Sequence, residues 1–148
     1  MLKEVLIEIK STQETENDRA VVEMTTVGQL GFEDGCYTII YNESEDSGMQ
    51  GSITTLKVSG ENSVVLSRRG AYNSHMIIEK GARHLCHYET PYGGIMMGVS
   101  AEYITSTLNG GGGNLSFKYD VDINSSLATR NEIDILIKES KNTNVKNS

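Results

Sequence analysis

An alternation of period two runs through this chain and constrains its fold more than any other feature. Leu115, Phe117, Tyr119, Val121 and Ile123 alternate with Ser116, Lys118, Asp120 and Asp122. Successive side chains of an extended strand point to opposite faces, so this segment predicts a strand with one apolar and one solvated face. Ile133, Ile135 and Ile137 repeat the pattern against Glu132, Asp134 and Lys138; Val5, Ile7 and Ile9 do so near the start, and Tyr37, Ile39 and Tyr41 further in. Strand-like segments recur near Val21–Thr26, Ser52–Val58, Ser63–Arg69, His75–Glu79, Arg83–Thr90 and Gly94–Thr105. They make about ten strands, spaced as an all-β sandwich or barrel requires.

The turns agree. Gly28, Gly31 and Gly35 bracket one connection, and Asp46-Ser47-Gly48, Gly60-Glu61-Asn62, Lys80-Gly81 and Asn109-Gly110 mark others with residues that tolerate positive φ. The single proline, Pro91, falls between two strand-like segments, where a missing N–H is harmless. No stretch sustains a helical period. The best candidate, Ala101 to Leu108, contains Tyr103, Ile104, Thr105 and Thr107, which favour strand. Consecutive, short-linked, half-apolar strands pair as a meander, and a long meander exposes its edges unless it closes. The expectation is therefore an all-β fold, a single closed antiparallel meander barrel of about 8–10 strands, with an open sandwich as the alternative. Residues 1–138 are assigned to the barrel and the Lys- and Asn-rich residues 139–148 to a flexible polar tail.

At 148 residues the chain can bury a core without disulfides or metal. Its formal net charge of −7 argues against nucleic acid as a partner, because phosphate neutralisation supplies most of that affinity. The 13 Lys and Arg are scattered, and the adjacent Arg68 and Arg69 point to opposite faces of their strand. The apolar run at the N-terminus is short and broken by Glu4 and Glu8, so it reads as neither signal peptide nor membrane span. A cytoplasmic location follows as the expectation, with no membrane partner. Cys36 and Cys86 would then be free thiols, and the Asn-x-Ser sequons at Asn42, Asn114 and Asn124 carry no weight.

Three strings add a family. Tyr37-x-Ile39-x-Tyr41-x-Glu43, Arg68-x-Gly70 at a strand end and Tyr88-x-Thr90-Pro91-Tyr92-Gly93 at a turn have the order and spacing of the YwiB-like family, bacterial proteins of unknown function. The chain resembles that family from Val5 to Ile137, and Tyr-x-Thr-Pro-Tyr-Gly is the specific part. The resemblance implies a calycin (lipocalin-like) β-barrel of Gram-positive bacteria and no assigned activity. The chain has no Trp, so it lacks the Gly-x-Trp mark of true lipocalins, and their ligands do not carry over.

Parity singles out the candidate chemistry. Arg68 shares a face with Val64 and Leu66, and Glu43 shares one with Tyr37, Ile39 and Tyr41. If those faces line the barrel, a charge of each sign sits at or near the interior, where it must be paired or hydrogen-bonded, and an Arg68–Glu43 pair helped by Tyr hydroxyls meets that need. Such a pair can present a guanidinium to a ligand carboxylate or phosphate, or it can close one barrel end and fix register. Tyr88, Thr90 and Tyr92 around Pro91 form either a ligand-contacting rim loop or a hairpin corner whose hydroxyls bond nearby backbone. His75, His84 and Cys86 reach one face only if the turn near Gly81 has an even number of residues; without standard spacing the trio is a weak zinc candidate, and no metal or other cofactor is expected. His87 lies on the opposite face. The glycine run 110–113 precedes a strand rather than a helix N-terminus, so it is no phosphate loop. Glu43, Glu45 and Asp46 lack a calcium-loop pattern. No Gly-x-Ser-x-Gly elbow or catalytic order presents itself, so nothing supports an enzyme. The reading is a non-catalytic small-ligand-binding barrel with Arg68 and the barrel tyrosines as polar anchors. The alternative is an interaction module with a packed interior, acting through its outer face or as a homodimer.

Overall fold

A computed structural model describes residues 2–71, 73–90 and 93–140. Among them ten strands close into one antiparallel barrel: β1 (Leu2–Glu14), β2 (Arg19–Glu33), β3 (Cys36–Asn42), β4 (Ser52–Ser59), β5 (Ser63–Gly70), β6 (Asn73–Glu79), β7 (Arg83–Thr90), β8 (Gly93–Ser106), β9 (Gly113–Ile123) and β10 (Ser126–Glu139). Each strand pairs with its neighbours in sequence, and β1 pairs with β10 to complete the circle. The expected meander and closure are both present. Residues 101–106 continue β8 as strand, with a register shift between Ala101 and Tyr103, where β-branched and aromatic residues outweigh any helical tendency. β10 runs one residue beyond the expected domain end, and Ser140 is buried with its hydroxyl 3.2 Å from Glu4 Oε1. The remaining tail lies outside the described residues.

The alternation places its apolar members inward. Leu30, Ile39, Leu56, Leu66 and Met76 are cross-strand partners from β2 to β6 and form one buried row around the wall. Ile7, Leu115, Phe117, Ile135 and Val99 fill the interior from the other half of the barrel. Each such side chain contributes roughly 1.5–3 kcal/mol by leaving water, enough for the interior to set the register everywhere.

Two departures from regular pairing shape one end. β2 joins β3 only from Gln29 to Glu33, so the first half of β2 pairs with β1 alone among the described residues. At the point of divergence stands Gly28, where a Cβ would lie 2.4 Å from the Ile40 carbonyl oxygen and 2.5 Å from Ile7 Cδ1. Only glycine lets the strands cross this closely. The gap beyond Gly28 is roofed by the β3–β4 connection, which contains a 3₁₀ turn over Glu45–Ser47 and packs on β2. Gly70 anchors that roof from below: its φ is +122°, and a Cβ would meet the Gly51 carbonyl oxygen at 2.4 Å. The second departure is between β6 and β7, which share only the pairs Asn73–Glu89 and Ser74–Tyr88 among the described residues.

Candidate functional site

Two residues beyond the apolar row, the same strands present a polar one. Tyr41 faces Thr54, Thr54 faces Arg68, Arg68 faces Ser74 and Ser74 faces Tyr88. A shift of two along a strand preserves the face, so all five side chains belong to the interior side of the wall. Their hydrophobic neighbours below and the roof above leave the charged members with protein partners rather than bulk water.

Arg68 and Glu43, which parity placed on inward faces, meet as an ion pair. Arg68 Nε lies 3.4 Å from Glu43 Oε2, with the two side chains 14% and 2% exposed. Thr54 donates a short hydrogen bond from Oγ1 to the same carboxylate oxygen. The Glu43 N–H reaches the Ser52 carbonyl at 2.9 Å, so the carboxylate is fixed at the root of the roof connection. Burial, reinforced by the Glu43 charge, pushes the Tyr41 phenol well above its ordinary range, while Arg68 opposes this. Tyr119 is also raised by burial, with Arg68 again pulling down. Both phenols therefore remain neutral donors across the physiological range.

A cavity of about 110 Å³ opens beside this pair. Arg68, Glu43 and Tyr41 form one wall, Ile9, Met24 and Ile133 the apolar wall opposite, and Ser47 and Met49 of the roof the rim. Nε is the one nitrogen of Arg68 with a hydrogen-bond partner among the described residues, which leaves its terminal amino groups unengaged, and the residue lines the cavity. The volume is well below the ~300–1,000 Å³ of sites that enclose a drug-sized ligand. It suits a small anionic head group. A larger concavity, about 750 Å³, lies on the outer wall and is lined by solvated side chains such as Glu8, Lys10 and Glu23, with Ser116 donating to Asp134 at 2.7 Å. We place the candidate site inside, where the polar groups are buried.

The other expected site residues scatter. Tyr37 stands at the opposite end of β3, its ring 4.7 Å from Phe32, and takes no part in the Arg68 cluster. Tyr88 lies half-buried on the interior polar row. Thr90 ends β7 opposite Gly93, and Pro91 and Tyr92 lie outside the described residues. The metal-type trio is divided. The pairs Asn73–Glu89 and Ser74–Tyr88 set a register that places His75 opposite His87, on the outer face, because three residues separate β6 from β7 instead of an even number. His75 Nδ1 is bonded to Ser67 Oγ at 2.9 Å, His84 Nε2 lies 2.8 Å from Glu79 Oε1, and Cys86 is buried in the core. No group of three potential ligands occurs among the described residues. Cys36 and Cys86 are free thiols. Among the described residues no helix is long and apolar enough to cross a membrane.

Sequence reasoning did not single out Thr54, Ser74 or Tyr119 as site residues. Thr54 and Ser74 sit in strands on inward parity positions, but only cross-strand register reveals that they flank Arg68. Tyr119 appears in sequence as one more member of an apolar face.

A closed up-and-down barrel with an ion pair inside one mouth is the class that fold and site define. The chain belongs to the family described as a domain of unknown function, DUF1934, whose model matches residues 7–135. The crystal structure of the ywiB protein from Bacillus subtilis is similar over 94% of this chain and 93% of that one, with a TM-score of 0.80 and 24% identity. At that identity the likeness shows the fold. The family expected from the Tyr88 to Gly93 string is thereby shown. No curated protein matches the chain.

Proposed function

We propose that this barrel binds a small molecule through an anionic group held at Arg68, without catalysis. One observation carries the reading. A guanidinium on the inner wall faces a cavity with its terminal amino groups unengaged among the described residues, while Glu43 holds it in place through Nε. Planar, preorganised N–H donors of this kind favour carboxylate and phosphate oxygens. Burial of Glu43 and its bond from Thr54 supply the rigidity that a binding group needs.

The test uses acetate as the smallest probe, titrated into the full chain and followed in amide and arginine-side-chain nitrogen NMR spectra. The reading predicts saturable shifts of Arg68 Nε–Hε and of amides around Met24, Glu43 and Met49. Shifts spread evenly over surface lysines, with Arg68 unmoved, would overturn it.

A second reading, a module that pairs with a copy of itself, has narrower support. Val27 and Ile53 are 48% and 49% exposed on the outer wall and flank Ile40 in a shallow groove. Light scattering decides it: a monomer at high micromolar concentration removes this reading, and a dimer broken by Val27→Glu favours it.

A further inference from the structure

The pocket contains a cation whose charge is already shared, and that limits the anion it can accept. Arg68 is paired with Glu43, so the local net charge is near zero. A dianionic phosphate would place two further negative charges beside a carboxylate that is 2% exposed, whereas a carboxylate would place one. The facing wall is apolar at Ile9, Met24 and Ile133 and polar at Ser11 and Gln13, with Met49 at the rim. The cavity of about 110 Å³ corresponds to the liquid volume of about four water molecules. Its occupant is therefore short.

A second donor reaches the same end of the barrel from another wall. Tyr119 of β9 faces Asn131, Asn131 faces Gln13, and Gln13 faces Ala20; Gln13 and Ala20 both line the pocket. Its ring is stacked on Phe117 at 5.9 Å and is 6% exposed, and Arg68 is near enough to pull its phenol down against the upward push of burial. An anion beside Arg68 would have this neutral hydroxyl as a second donor.

We infer that the pocket takes a short aliphatic monocarboxylate, its carboxylate held by the terminal amino groups of Arg68 and the Tyr119 hydroxyl, its chain lying against Ile9, Met24 and Ile133. This rests on the ligand-pocket reading above. The pocket's open rim at Met49 and Ser47 lets longer chains project outward, so affinity should rise from acetate to butyrate and then level off.

Calorimetric titration of the full chain with butyrate, inorganic phosphate and butylamine tests it. Butyrate should bind at least tenfold more tightly than either of the others. Tyr119→Phe, which keeps the stacked ring, should weaken butyrate about tenfold or more, the effect of losing one hydrogen bond to a charged group. Tyr37→Phe, at the far end of β3, should leave binding unchanged. If phosphate binds as tightly as butyrate and the double variant Arg68→Met/Glu43→Gln abolishes both, the ligand-pocket reading stands and the monocarboxylate inference fails. Butyrate binding that ignores Tyr119→Phe removes the proposed second anchor and overturns the inference as stated. If no probe binds, or butylamine binds best, both readings fail.

Discussion

Replacing Arg68 with Met strands the Glu43 carboxylate, 2% exposed in the wild type, with the Thr54 hydroxyl as its remaining side-chain partner among the described residues. Breaking a buried ion pair in this one-sided way destabilises by about 3–5 kcal/mol, because the surviving charge lacks both water and a counter-ion. Arg68 itself is 14% exposed and borders a cavity, so some solvent can reach the vacated space. We therefore expect the lower part of that range, about 3 kcal/mol. For a chain of this length that lowers Tm by roughly 10 °C. Adding Glu43→Gln removes the stranded charge while keeping an oxygen for Thr54, and the double variant should recover about 2 kcal/mol. Chemical denaturation of the wild type, both single variants and the double variant yields the coupling energy directly. A double variant as unstable as Arg68→Met, or a loss below about 1 kcal/mol for the single change, would refute the claim that these charges are buried partners.

Four further outcomes follow from the same structure. Gly70→Ala should destabilise by about 2 kcal/mol in denaturant titration, since it combines a left-handed φ with a Cβ against the Gly51 carbonyl. Leu66→Ala, in the buried row, should cost about 2–5 kcal/mol, against less than about 0.5 kcal/mol for His75→Ala on the outer face. In alkaline titration followed by phenolate absorbance, Tyr41 and Tyr119 should stay protonated in the folded state beyond pH of about 10; because their folded pKa values are raised, the stability they provide is full below the unfolded value and declines as pH rises above it. A thiol reagent should modify the half-exposed Cys36 in the native protein and reach the buried Cys86 only on unfolding.

The strands and their closure were legible because inward positions such as Ile39, Leu66 and Phe117 repeat every second residue, and a half-apolar meander has few ways to hide its edges. The Arg68–Glu43 encounter was legible by the same parity, since each residue shares a face with core residues on its own strand. Their companions were not. That Thr54 lies across from Arg68, or that Tyr119 shares a barrel end with it, depends on register between strands, which no single strand encodes. The His75 case shows the same limit: one residue in the Lys80–Ala82 turn decides whether its imidazole points in or out. The roof also escaped the sequence reading, because Met49 and Ser47 reach the pocket through a connection held by Gly70 and Gly51, not through any periodic signal.

On the proposed reading, the Arg68 pocket is occupied by a small anion in the working protein. Native mass spectrometry of the full chain, purified from its own host in volatile buffer and compared with the Arg68→Met/Glu43→Gln variant prepared identically, tests it most directly. The expected result is a reproducible mass excess of a small carboxylic acid on the wild-type chain, lost on denaturation and absent from the variant. A bare chain mass in repeated preparations, or the same adduct on both proteins, would contradict it.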